Sequence, residues 1–162
     1  MALRHQFSMY LHFKKKDYLA HEEPRIINGS EKRIVFLADY IQRALSSLNL
    51  NEHMVFYGKG VVYLGQRYMA GSVVILGLND DGLEFGLISE VVKVEGTIYL
   101  ICECLFNSGF DHHFHAYEVM KSDIHMIRNV ETLYDYHPLG LYSVNNMLLV
   151  PLKYVIARSS TT

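Results

Sequence analysis

The sequence predicts a mainly β protein of the α+β class, with a helical element over residues 1–50 and a small antiparallel β-barrel over residues 51–162. Three observations carry this reading. Between Tyr68 and Phe106 three β-rich runs are separated by turn signals, which is the pattern of an antiparallel meander. Glu95-Gly96 falls between two β-branched segments, where a tight hairpin turn needs positive φ. Helical spacing of apolar residues, in contrast, is confined to the chain before Asn49.

Taken in order, Leu3, Phe7, Tyr10 and Leu11 recur at helical intervals, and Lys14-Lys15-Lys16 suits the C-terminus of that helix. A second stripe follows at Ile34, Leu37, Ala38, Ile41, Leu45 and Leu48, with Ser30 as the expected N-cap. The polar segment from Asn49 to Glu52 marks the boundary between the two parts. Val61–Leu64 and Arg67–Met69 flank Gly65-Gln66 and read as a hairpin, and Asn79-Asp80-Asp81-Gly82 is the next turn. From Leu83 to Val94 the apolar parity changes near Gly86, which predicts a bulge or sharp bend there. Asn107-Ser108-Gly109 is expected to open a loop, followed by the histidine-rich run Phe110–Tyr117. Short extended segments are expected at Glu118–Met120, Ile124–Ile127, Leu139–Val144 and Leu148–Ile156, with Asn145-Asn146 a turn. Val74, Leu76, Ile88 and Ile101 are the expected core.

Half of the 162 residues are hydrophobic, enough for one core without disulfide or metal. A formal charge of −2 supplies no global attraction for phosphate backbones. No stretch reaches the ~18 apolar residues of a membrane span. Cys102 and Cys104, the two cysteines, alternate on one predicted strand and are badly placed to bridge each other, so reduced thiols in a nuclear or cytosolic compartment are expected.

The succession Tyr68-Met69-Ala70-Gly71-Ser72-Val73-Val74, Phe85-Gly86-Leu87-Ile88, a strand pair across Glu95-Gly96, and Ala116-Tyr117-Glu118-Val119 resembles an SH3-like barrel of the bromo-adjacent-homology type. Phe85-Gly86-Leu87-Ile88, Leu133–Tyr142 and Val150–Tyr154 further resemble the C-terminal module of a group of transposon-derived animal proteins, with Tyr154 where that group carries histidine. Ala2–Gln6 is similar to the helix that precedes the module in that group. The resemblance implies a mobile-element derivative, favouring the nucleus, and carries no established activity.

Five constellations bear on function. Tyr57, Tyr63, Tyr68, Phe85, Tyr99 and Phe110 are candidates for an aromatic pocket, because reader barrels hold cations against ring faces; most are expected to be core. Arg4, Lys14, Lys15, Lys16, Lys32 and Arg33 form the candidate basic patch of an alternative nucleic-acid reading, offset by Asp17, Glu22, Glu23 and Glu31. Cys102, Cys104, His113 and His115 can be drawn as an alternative zinc set, although Cys-x-Cys inside an apolar strand more simply gives two small core side chains. Asp111, His112, His113 and His115 lack a nearby nucleophile motif, and Gly58-Lys59-Gly60 has the spacing of a turn rather than a phosphate loop. The expectation is therefore a non-enzymatic protein- or peptide-binding module, chromatin-associated, with no cofactor. A nucleic-acid-binding accessory domain is the alternative, and a zinc-dependent or hydrolytic enzyme a distant third.

Overall fold

Two long strands, rich in Val, Ile and Leu and joined by Glu95-Gly96, form the frame on which everything else is hung. The computed structural model describes residues 23–51 and 53–151. In chain order they form β1 (Arg25–Ile27), β2 (Ser30–Arg33), a 3-10 turn (Ile34–Phe36), α1 (Asp39–Ser46), β3 (Met54–Gly58), β4 (Gly60–Tyr63), β5 (Gln66–Met69), β6 (Val73–Asn79), β7 (Gly82–Val94), β8 (Thr97–Asp111), β9 (Ala116–Asn129), a second 3-10 turn (Val130–Thr132), β10 (Asp135–Leu139), β11 (Tyr142–Val144) and β12 (Met147–Pro151). Three hairpins turn on residue pairs with positive φ, Leu64-Gly65, Glu95-Gly96 and Asn145-Asn146, whose twist matches the strands they join.

All pairings are antiparallel. The large sheet runs β10-β6-β7-β8-β9-β12-β11, while the second half of β7 pairs with β3 and β3 with β2. A small sheet, β1-β4-β5, lies apart from it. Pairing shifts register between Ile75 and Gly77 on β6, between Ile88 and Glu90 on β7, and twice between β8 and β9. Such irregularities bend a sheet. The expected bend at Gly86 is displaced: the extra residues are Leu76, opposite, and Ser89. Gly86 has a packing reason instead, since a Cβ there would come within 2.9 Å of Leu76 Cδ1 and 3.0 Å of Cys102 Cβ.

The bent sheet has a front and a back. On the front, Val74, Leu76, Ile88, Val91, Leu100 and Cys102 pack beneath Val61, Tyr63, Leu64 and Tyr68 of the small sheet. On the back, one cluster joins Val73, Phe85, Leu105 and Val119 to Leu139 and Val150, and a second joins Val55, Val92, Val94 and Ile101 to Leu37, Ile41, Ala44 and Leu45 of the α1 region. The expected core residues Val74, Leu76, Ile88 and Ile101 are all buried. A polar seam separates the two back clusters, where Glu90 of β7 and Glu103 of β8 are buried. Lys59 Nζ pairs with Glu90 Oε1, the Tyr40 hydroxyl donates to the same oxygen at 3.4 Å, and the Tyr40 ring stands 4.5 Å from that of His125. Glu90 Oε2 is buried without a hydrogen-bond partner.

Two expectations about the architecture are corrected. The sheet is rolled but is not a closed barrel: β10 and β11, the outer strands of its path, are joined covalently through Gly140-Leu141, and no ladder connects them. Bulges supply the curvature, but the margins fall short of pairing. Nor are the described residues 23–50 the helical element expected there. Among the described residues α1 is the one α-helix, and β1 and β2 occupy part of the expected helical element. Ser30 pairs with Tyr57 instead of capping a helix. The ladder continues into the amide of Ile34, which donates to His53 O at 2.8 Å, and the β-branched Ile34-Val35 run starts a 3-10 turn that postpones the helix to Asp39. The expected helix over Leu3–Leu11 lies outside the described residues. Because β1 pairs with β4 and β2 with β3, hydrogen bonding also crosses the boundary expected near residue 50.

Candidate protein-binding surface

The six aromatic candidates are dispersed over the three clusters. Tyr63 and Tyr68 lie in the front core, where Tyr63 donates to Glu131 Oε1 at 2.7 Å and Tyr68 to Tyr136 O at 2.5 Å. Burial pushes both phenols well above their ordinary range. Phe85 is in the first back cluster, 5.4 Å from the Tyr117 ring, and Tyr57 and Tyr99 pack against the second. Phe110, at the far end of β8, sits edge-on to His112 and Tyr117. These rings do not face one another around a cage.

The alternative zinc set is likewise not assembled. Cys102 is fully buried and Cys104 half-buried in mid-strand, whereas His113 and His115 lie in the exposed turn beyond Asp111, about 20 Å farther along at ~3.3 Å per residue. Among the described residues no three His, Cys, Asp or Glu side chains group to hold a metal. Burial pushes the Cys102 thiol up to about 12. Of the basic patch, Lys32 and Arg33 are exposed on β2, with Lys32 Nζ 5.0 Å from the centre of the Tyr57 ring. Arg4, Lys14, Lys15 and Lys16 lie outside the described residues.

A different surface emerges from strand alternation. Cys102 of β8 is under the front core, so Cys104 and Phe106 continue that face beyond it. Met120 is the cross-strand partner of Phe106, and alternation puts Ile124 on the same side as Met126, which packs against the front core. Glu84 pairs with Gly77 on the adjoining strands, also toward the front. The front core's covering strands do not extend over this end, and a groove of about 610 Å³ remains, lined by Leu76, Glu84, Cys104, Phe106, Asn107 and Met126. Phe106 and Met120 are each 58% exposed and Ile124 57%. Phe106 and Met120 thus hold neighbouring apolar side chains in water on one face of the sheet.

The groove also carries charge. Asn79 Nδ2 donates to Glu84 Oε1 at 2.8 Å, and Gly77 is bare where a Cβ would stand 3.2 Å from Glu84 Oε2, so the carboxylate lies across β6. Among the described residues Glu84 has no ion-pair partner. Asp80 and Asp81 stand exposed in the adjoining turn, while Lys121 of β9 pairs with Leu105 and so belongs to the back. Burial first, and then the negative charge of Glu84, push the Cys104 thiol up, so the groove wall presents a neutral thiol beside an oriented carboxylate. A second apolar groove, of about 760 Å³ between α1 and the β2–β3 edge, differs in this respect: its Gln42 amide is engaged by Leu37 O at 2.8 Å and Val35 O at 3.3 Å.

Sequence reasoning passed over Phe106, Met120 and Glu84. The signal was the parity of Cys102, Cys104 and Phe106, which extends one face of the strand past its cover. Among the described residues no helix is long and apolar enough to cross a membrane. No protein-family model, curated protein or solved structure matches the chain.

Proposed function

We propose that this chain is a non-enzymatic protein-interaction module that docks a partner segment in the groove on the front of β6–β9. The observation that carries the reading is the cross-strand pair Phe106 and Met120, each more than half exposed, of which Phe106 lines the groove and Met120 stands beside it on β9. Covering most of these two side chains would remove on the order of 150 Å² of apolar surface from water, about 4 kcal/mol before the costs of association. The rigid strands beneath keep the ordering cost on this side small. A nuclear, chromatin-associated setting is part of the proposal and rests on the resemblance to transposon-derived proteins.

The test compares proteins captured by the parent chain with those captured by Phe106→Asp and Met120→Asp, using Val35→Asp as the control at the other apolar groove. Partners lost with the first two and retained with the third support the reading. Capture indifferent to all three sinks it, provided thermal melts show the variants folded.

A further inference from the structure

We infer that the groove selects a cationic side chain, an Arg or Lys presented by an extended partner segment, with its aliphatic stem along Phe106 and Met126 and its charged head at Glu84. The inference rests on the proposed binding role and names the class of partner. Phe106 and Met126 offer the apolar wall that a long cationic stem covers while its head stays polar. Glu84 offers the head a carboxylate whose direction is already fixed, one oxygen held by Asn79 and the other lying over bare Gly77. Preorganisation of this kind removes an ordering cost that a freely rotating glutamate would impose on binding. Asp80 and Asp81 reinforce the negative field at that rim; Lys121 is on the other side of the sheet, and Arg128, across from Leu100 on the front, offsets part of the field without pairing with Glu84.

Exclusion argues the same way. A purely apolar segment filling the groove would take water away from Glu84 and give nothing back, because no cation among the described residues pairs with it. An acidic segment would add like charge to a carboxylate that no described cation pairs with. The groove therefore discriminates against both by penalty and in favour of a cation by attraction.

The experiment pans a phage-displayed random peptide library on the full chain, then measures fluorescein-labelled selected peptides by anisotropy at low and high salt against the parent, Phe106→Asp, Glu84→Gln and Glu84→Asp. The expected result is a selected motif with Lys or Arg within two positions of an apolar residue. Binding should be lost in Phe106→Asp, weaken ~10-fold or more in Glu84→Gln with a shallower salt dependence, and recover in part in Glu84→Asp, which keeps the charge. Selected peptides without a cation, lost in Phe106→Asp but indifferent to Glu84→Gln, would overturn the inference and leave the groove as the docking site. Peptides indifferent to Phe106→Asp, or no selected peptide at all, would overturn both.

Discussion

Replacing Lys59 by Met tests whether the seam between the two back clusters depends on charge pairing. Glu90 is 5% exposed, and its Oε1 takes Lys59 Nζ and a long bond from Tyr40, while Oε2 has no partner. Removing the ammonium leaves a buried carboxylate with one weak donor, a situation that costs ~3–5 kcal/mol when fully buried. The Lys59 side chain is 65% exposed, so water reaches the vacated edge, and about 2 kcal/mol is expected at pH 7. Urea denaturation at pH 7 measures it. Glu90→Gln should cost less than Lys59→Met, because it returns an exposed ammonium to water, and Lys59→Met on the Glu90→Gln background should add little. A loss under about 0.5 kcal/mol at pH 7 would refute the reasoning.

Ile88→Ala, at a 1% exposed position in the front core, should cost ~2–5 kcal/mol in denaturant melts, and a loss below about 0.5 kcal/mol would contradict its packing. Stability should be full below pH 9 and fall between there and pH 12: Cys102, ordinarily 9.0, is held neutral by burial up to about 12, so the unfolded thiol releases its proton first. Lys59, raised chiefly by its bond to Glu90, adds to the same alkaline decline above its ordinary 10.5. A urea midpoint that stays flat from pH 9 to 11 would count against the Cys102 assignment. A chelator should leave the melting temperature unchanged, since Cys102 and Cys104 are distant from His113 and His115; one equivalent of bound zinc in purified protein would overturn that.

The parts of the fold legible in the sequence are those where local chemistry and burial agree. Glu95-Gly96, Asp80-Asp81 and Asn145-Asn146 carry turn residues between apolar runs, and each is a hairpin turn. Val73–Leu76 reads as buried on both faces because it is apolar throughout, and all four residues are buried. Ser30–Arg33 was illegible as a strand because every side chain is exposed and polar, so nothing alternates; backbone pairing to β3 alone makes it extended. Asn107-Ser108-Gly109 has loop chemistry but forms a bulge inside β8, with Asn107 Oδ1 accepting the Gly109 amide at 2.9 Å. The groove was hidden for another reason. Phe106 and Met120 look like any core residues of apolar strands, and whether they are covered depends on how far β1, β4 and β5 reach, which no local pattern encodes. Glu84, between Leu83 and Phe85, reads as ordinary alternation until its cross-strand neighbour is known to be Gly77.

The position of β12 has a consequence for how the chain is made. It inserts between β9 and β11, so the last described strand is an interior one. While a ribosome is still holding Met147–Pro151 in its exit tunnel, Ala116–Val119 has an open edge, and the first back cluster lacks Leu148 and Val150. The nascent protein therefore cannot finish this cluster vectorially from its N-terminus. Its final collapse waits for translation to pass Pro151, and any stall before that point leaves a sheet with a strand-wide gap for chaperones to shield.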